Sequence, residues 1–194
     1  MKPIVVLGML GMTLAWGCEP AGALGENRLA EGAVAETGQW EIRWDQTVPP
    51  PVGQYLGLRN MALPGGQSIK YYLHIYGIEL AFTEDETRNI RFESAADLPV
   101  ITLGDRVSIE VRSARFLTYQ PREDGVSLGW SDAFAYEWQV LSRDGEAVMP
   151  GTRVRLHNTR ADADLIYCPS DKGISLGWSK DCPDDTTTEP RDKG

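Results

Sequence analysis

The chain has 194 residues, an apolar fraction of 42% and a formal net charge of -9, which suits one domain with a real core plus tails. Nucleic acids and anionic lipid surfaces attract Lys and Arg, so this charge argues against nucleic-acid binding and against a basic membrane-binding face. We expect a soluble, monomeric domain whose negative surface keeps copies apart.

The N-terminus has the organisation of an export signal. Lys2 precedes an apolar stretch over residues 3–16. That stretch is too short to span a bilayer, which needs roughly 20 apolar residues. We therefore predict a signal peptide at residues 1–17 and an exported protein.

Two cleavage sites fit this signal. The run from Leu14 to Cys18 resembles the lipobox of bacterial lipoproteins. By that resemblance Cys18 becomes the lipidated N-terminus of a cell-envelope protein, on the outer membrane or the cell surface. The alternative is the A-x-A site Ala21-Gly22-Ala23, which gives a freely secreted or periplasmic protein. We favour the lipoprotein and predict a flexible tether over residues 18–37, from its Ala, Gly and Glu content.

A heptapeptide pattern recurs every 48 residues, beginning at Gly77, Gly125 and Gly173. It consists of Gly, a β-branched apolar residue, a polar residue, Leu, a small residue, an aromatic residue and a hydroxyl residue. The opening Gly is predicted to adopt positive φ at the end of a hairpin turn. The second, fourth and sixth side chains share one face of a strand. We expect all of these to enter one core: Ile78, Leu80, Phe82, Val126, Leu128, Trp130, Ile174, Leu176 and Trp178.

Apolar alternation predicts three further strands in each unit. The first type lies at residues 39–44, 89–94 and 137–142, the second at 55–60, 106–112 and 153–157, and the third at 71–75, 116–119 and 165–167. A strand of the first type lies at residues 39–44, before the first unit, and no such strand follows the third unit. Residues 183–194 at that end are predicted to be a disordered acidic tail. The repeat is thus shifted by one strand, which lets the chain ends meet and close a barrel.

Twelve strands in three four-stranded units of this length resemble the β-trefoil superfamily. The resemblance covers about residues 38–182 and implies an all-β β-trefoil domain, with a sandwich or another repeat barrel as the alternatives. Ricin-type lectins carry Gln-x-Trp in each unit. The corresponding Gln positions are Leu80, Leu128 and Leu176, so the lectin sugar site cannot be carried over.

Cys168 and Cys182 remain after either cleavage. An even pair of cysteines in an oxidising compartment predicts a disulfide, which stabilises a domain by about 3 kcal/mol for a loop of this length. A metal site is the weaker alternative, because neither a CxxC spacing nor a nearby His supports it.

The same strand register assigns every mature Trp to the core, including Trp44 and Trp130, and so leaves no Trp as a platform for a sugar ring. Asp162, Asp164 and Asn158 offer oxygen ligands for Ca²⁺, although a turn is the preferred interpretation. The remaining ligand-binding candidates are tyrosines near loops and the outward face of one strand: Tyr76, Tyr119, Tyr136, Arg153, Arg155 and His157.

No GxSxG, HExxH or P-loop pattern occurs, and neither His74 nor His157 adjoins a nucleophile motif. We therefore expect no enzymatic activity, no cofactor and no metal. The sequence favours a binding module that recognises a glycan or a protein through its loops. The alternatives are a protease inhibitor that presents the loop over residues 60–68, and a structural envelope lipoprotein without a small ligand.

Overall fold

The computed structural model describes residues 36–73, 77–112, 114–142, 147–171 and 173–182. The predicted signal peptide, Cys18, most of the tether and the acidic tail lie outside these residues. No helix in the described ranges is long and apolar enough to cross a bilayer. A 3-10 helix, Glu36–Gly38, precedes twelve strands: β1 Trp40–Arg43, β2 Tyr55–Asn60, β3 Gln67–Tyr71, β4 Leu80–Thr83, β5 Ile90–Ser94, β6 Arg106–Val111, β7 Phe116–Tyr119, β8 Leu128–Ser131, β9 Trp138–Leu141, β10 Arg153–Asn158, β11 Ala163–Tyr167 and β12 Leu176–Trp178.

Six of the strands form a closed antiparallel barrel in the order β1, β2, β5, β6, β9 and β10. Pairing of Trp40 with Val154 joins β1 to β10 and completes the ring. This confirms that the first strand meets the last unit. The other strands are outer hairpins, with β3–β4 on β2, β7–β8 on β6 and β11–β12 on β10. The same pairing pattern therefore occurs in three successive units.

The third strand of the first unit differs from the prediction. The sequence predicts it at residues 71–75, whereas β3 is Gln67–Tyr71. Ser68 and Ile69 are both 2% exposed, and pairing with β4 begins at Ser68. The connection from β2 is consequently a turn over residues 61–66, shorter than the predicted loop over 60–68.

The repeated heptapeptide enters its strand through a local turn. The N–H groups of Leu80, Leu128 and Leu176 donate to the carbonyl two residues earlier, at 2.8, 2.7 and 2.7 Å, which is the hydrogen bond of a γ-turn. The fourth strands therefore begin at these leucines, two residues later than the apolar pattern suggests. The opening glycines confirm the predicted positive φ, with values of 71°, 74° and 76° at Gly77, Gly125 and Gly173.

The apolar positions of the repeat fill the core largely as predicted. Trp40 and Trp138 are completely buried, and their Nε1 atoms donate to the carbonyls of Leu165 and Leu117 at 2.8 and 2.9 Å. Trp178 is also buried, at 3% exposure. The prediction of an entirely buried set is wrong for three aromatic residues that pack against the core but are only partly buried: Trp44, Phe82 and Trp130.

Three aromatic contacts connect the outer hairpins of neighbouring units. Each joins a tyrosine on β3, β7 or β11 to the aromatic residue on the fourth strand of the next unit, and the third contact returns to the first unit. Tilted rings at such distances have a favourable geometry. The centroid distances are 6.3 Å for Tyr71 and Trp130, 6.0 Å for Tyr119 and Trp178, and 6.1 Å for Tyr167 and Phe82.

Cys168 and Cys182 form a disulfide across 14 positions, as predicted in preference to a metal site. The bridge joins the residue after β11 to the residues that follow β12. Gly177 lies under it, since a Cβ atom at Gly177 would meet the Cβ of Cys168 at 2.8 Å. The disulfide therefore holds the final strand onto its hairpin, and the close approach requires a glycine beneath it.

Candidate functional site

A cleft of about 390 Å³ lies at the end of β1, and its size falls in the range of small-ligand sites. Its walls come from β2, β3, the segment after β4 and the turn before β10. We call it the Trp44 cleft. It is lined by Arg43, Trp44, Asp45, Gly57, Ser68, Glu86, Thr87, Arg88, Pro150 and Gly151.

Gly57 sets the shape of this cleft. It pairs with Arg43 across β1 and β2. A Cβ atom at Gly57 would lie 2.9 Å from the Cβ of Arg43 and 3.0 Å from the carbonyl oxygen of Thr87. Because neither atom belongs to the far end of a flexible side chain, a larger residue would push the segment around Thr87 outward. The glycine thus allows that segment to pack across the strand pair and form a wall.

Ion pairs hold the charged groups around the Trp44 cleft. Arg43 binds Glu41 at 3.0 Å and Glu86 at 2.9 Å, and Arg59 lies 3.7 Å from Glu86. The pKa of the Arg43 guanidinium is raised by its hydrogen bond to Glu41 and then by that to Glu86. Arg88 pairs with Asp45. Exposed pairs of this kind contribute little stability, so their main consequence is to orient planar donors and acceptors at the rim.

Trp44 supplies the aromatic surface of the cleft. Its ring packs against the core on one side and is only partly buried. Its Nε1 is shielded from solvent and has no hydrogen-bond acceptor among the described residues. A buried donor left without an acceptor costs about 1–3 kcal/mol.

This combination suits a polyhydroxylated ligand. An aromatic face contacts the C–H groups of a sugar ring, while hydroxyls both donate and accept. The carboxylates of Asp45 and Glu86 accept hydrogen bonds, and the guanidinium groups of Arg43 and Arg88 donate them. The Trp44 cleft therefore presents an apolar platform and both kinds of polar partner within one concavity.

Two of the predicted tyrosine candidates, Tyr119 and Tyr136, do not line this cleft. Tyr76 lies outside the described residues. Tyr119 is on β7, half-buried, with the Cζ of Arg160 5.7 Å from its ring centroid. Tyr136 stacks on Phe134 at a centroid distance of 5.5 Å, and Phe134 is 53% exposed. Tyr119 thus belongs to the contacts between hairpins, whereas Tyr136 supports an exposed aromatic residue.

The outward face of β10 is engaged in polar contacts of its own. Arg153 donates to Gln39 at 3.2 Å. Arg155 and His157 share the carboxylate of Asp164, at 2.8 and 3.0 Å. The structure therefore brings these two candidates together on one internal acceptor and leaves Arg153 at a separate contact.

The oxygen ligands considered for Ca²⁺ have other partners. Asp164 binds Arg155 and His157, and the buried Asn158 donates to Glu137 at 3.0 Å. Asp162 occupies a turn, with φ of 50°. Among the described residues, no group of three or more His, Cys, Asp and Glu side chains is placed to hold a metal ion.

Trp44 is the site residue that the apolar alternation misplaced. Alternation from Trp40 through Ile42 continues to Trp44 and predicts an inward side chain. The strand ends at Arg43, however, so Trp44 lies just beyond the barrel wall. The polar run Asp45-Gln46-Thr47 was the available signal, because it shows that the alternation stops at this point.

Comparison of the chain with protein-family models, with curated proteins and with solved structures finds no match.

Proposed function

We propose that the chain is an exported, non-enzymatic binding module of β-trefoil type that holds a glycan in the Trp44 cleft. The observation that carries the proposal is the partly buried Trp44 ring with its unaccepted N–H, set in a concave site among oriented arginines and carboxylates. Concave sites with a few convergent polar groups are the usual location of small ligands.

The β-trefoil assignment is supported by the 48-residue repeat in the sequence and by the strand pairing that recurs in three units. We assign the domain to residues 38–182. Export is supported by the apolar N-terminal stretch and the lipobox-like run ending at Cys18. The disulfide adds weak support, since disulfides persist mainly in oxidising compartments. We accordingly propose a lipid anchor at Cys18 and a position in the cell envelope.

The inhibitor alternative has less support from the geometry. A protease-blocking loop must stand clear of its scaffold. Residues 61–66 instead form a compact turn, because Met61 donates to Gln39 at 3.0 Å, Ala62 to Asn60 at 3.0 Å and Gly66 to Leu63 at 2.8 Å. The described residues therefore support a glycan site in the Trp44 cleft better than they support an inhibitory loop.

A glycan screen with the purified full chain tests the proposal. Variants Trp44→Ala and Trp44→Phe separate the ring from its N–H, and Phe134→Ala is the matched control, since Phe134 is an exposed aromatic residue outside the cleft. We expect Trp44→Ala to abolish binding of the glycan that occupies this cleft. Trp44→Phe should weaken it about tenfold through the lost hydrogen bond, and Phe134→Ala should bind as the wild type does.

Two results would overturn this function. One is a screen in which no glycan binds the folded chain. The other is that every glycan that binds the wild type binds Trp44→Ala with equal affinity, which would place the ligands elsewhere on the surface.

A further inference from the structure

Two tryptophans occupy corresponding positions in neighbouring units but differ in their hydrogen bonding. Trp130 on β8 donates from Nε1 to Oε2 of Glu79 at 2.6 Å, across 51 positions. In the next unit, 48 positions later, Trp178 on β12 corresponds to Trp130, and Ser127 corresponds to Glu79. Ser127 and Trp178 do line one cleft. The serine side chain is two atoms shorter than that of glutamate, so the second unit lacks the internal carboxylate acceptor.

The N–H of Trp178 is consequently left without an internal acceptor. Trp178 is 3% exposed, and its Nε1 has no hydrogen-bond partner among the described residues. The cleft that it lines has a volume of about 260 Å³. We call it the Trp178 cleft; its lining includes Val126, Ser127, Trp178, Asp181 and the Cys168–Cys182 disulfide.

The lining restricts the chemistry of the ligand. The Trp178 N–H has no acceptor among the described residues, so a ligand group that reaches it has to supply an acceptor oxygen. A carboxylate oxygen is disfavoured by the neighbouring Asp181 and by the net charge of -9. A neutral amide avoids this repulsion: its carbonyl accepts from Trp178, while its N–H donates to the carboxylate of Asp181. The apolar wall formed by Val126 and the disulfide suits a methyl group next to that carbonyl.

We infer that the Trp178 cleft binds the acetamido group of an N-acetylated sugar. A peptide amide is flanked by chain on both sides, whereas an acetamido group is terminal and can place its methyl group inside a cleft. The hydroxyl of Ser127 and the exposed Asp181 complement ring hydroxyls better than they complement an alkyl stem. This site is separate from the Trp44 cleft and does not depend on the function proposed for it.

The indole N–H signals of the full chain in ¹H–¹⁵N NMR spectra report ligand binding in the two clefts separately. The Trp178 signal is assigned by its disappearance in Trp178→Phe, and the Trp44 signal by its disappearance in Trp44→Phe. The probes are methyl N-acetyl-β-glucosaminide and methyl β-glucoside, which differ in the acetamido group. We expect a saturable shift of the Trp178 signal with the first probe and none with the second.

Variants of the cleft complete the test. Ser127→Glu supplies the acceptor found beside Trp130, and it should weaken binding of the N-acetylated probe about tenfold or more. Trp130→Phe is the matched control, because the N–H of Trp130 already has an internal acceptor. This variant should leave the Trp178 shift unchanged.

The inference is overturned if the Trp178 signal does not move with the N-acetylated probe. An equal shift with the plain glucoside, or unchanged affinity in Ser127→Glu, would overturn it as well. A result confined to the Trp44 signal would refute this site while leaving the glycan function intact.

Discussion

The indole N–H of Trp130 donates a 2.6 Å hydrogen bond to the carboxylate of Glu79, 51 positions earlier in the chain. The two residues belong to the heptapeptides of different units, so the bond ties one outer hairpin to the next. It lowers the pKa of the Glu79 carboxyl from its ordinary value of 4.5, against the opposing effect of burial. Charge-assisted bonds of this kind are stronger than neutral ones, and this one reinforces the ring contact between Tyr71 and Trp130.

The lowered pKa of Glu79 predicts an acid-dependent loss of stability. In the unfolded chain the carboxyl binds a proton more readily than in the folded protein, so stability rises with pH in this range. The contribution is complete above about pH 5 and is lost as the pH falls below 4.5 toward the lower folded pKa. Urea midpoints measured from pH 6 to pH 3 should therefore fall less steeply in Glu79→Gln than in the wild type. Parallel curves for the two proteins would contradict this assignment, and Glu123→Gln provides the exposed control.

Removal of Trp44 should cost far less stability than removal of Trp138. Trp138 is fully buried and bonded to the Leu117 carbonyl, so Trp138→Ala should lower the free energy of unfolding by about 3–5 kcal/mol. Trp44 is only partly buried and its N–H has no internal acceptor, and we expect Trp44→Ala to cost about 1 kcal/mol. Chemical denaturation of both variants checks the difference. Equal losses would mean that Trp44 is a core residue and would weaken its assignment to a binding cleft.

The disulfide should make the Gly177 position sensitive to substitution. Gly177→Ala brings a Cβ atom to 2.8 Å from the Cβ of the bridged Cys168, which we expect to lower stability by about 2 kcal/mol. Reduction releases Cys168 and should shrink this difference, although it also removes about 3 kcal/mol from the wild type. Gly129→Ala is the matched variant, since the equivalent neighbour is the unbridged Gln120. Thermal melts with and without reductant measure the stability loss caused by each substitution. The loss in Gly129→Ala should be the same in both conditions. If the loss in Gly177→Ala is also the same in both, the prediction is contradicted.

Glu137 should be a stabilising residue of the barrel. It is 5% exposed and accepts hydrogen bonds from Asn158 at 3.0 Å, Thr118 at 3.2 Å and the backbone N–H of Tyr119. Glu137→Gln turns one acceptor oxygen into a donor that faces other donors, so we expect a loss of about 2–3 kcal/mol. Denaturant unfolding measures the loss, with the exposed Glu123→Gln as control. A loss below about 0.5 kcal/mol, the usual size of a neutral surface substitution, would show that these contacts are replaceable.

Local pattern was sufficient to predict that each strand exists and where most of them lie. Tyr55–Asn60 and Phe116–Tyr119 coincide with the predicted ranges, because apolar alternation and flanking turn residues are local signals. The third strand of the first unit was misplaced because Gly65 and Gly66 were assigned to a long loop, whereas a tight turn brings Ser68 into the sheet. The contacts of Tyr71, Tyr119 and Tyr167 were also missed, although their 48-residue spacing was visible in the sequence.

The candidate sites were less predictable than the strands. Trp44 and Trp178 have the same pattern-based assignment to the core, and one is partly exposed while the other is buried. Apolar alternation predicts on which side of a strand a side chain lies. How exposed that side chain is depends on which other segments cover the end of the strand. The acceptor of a Trp N–H is likewise set by a residue far along the chain, as the Glu79 carboxylate is for Trp130.

The amino-acid sequence by itself determined the all-β class, the threefold period, the positive φ of Gly77, Gly125 and Gly173 and the pairing of Cys168 with Cys182. Each of these follows from local residue chemistry repeated at a constant interval. Only the tertiary structure decided how the barrel closes in register, which aromatic faces stay open and which tryptophan N–H groups lack an acceptor. Those properties depend on contacts between groups that are 51 positions apart, as Glu79 and Trp130 are, or 114 positions apart, as Trp40 and Val154 are. A local sequence pattern carries no information about such distant contacts.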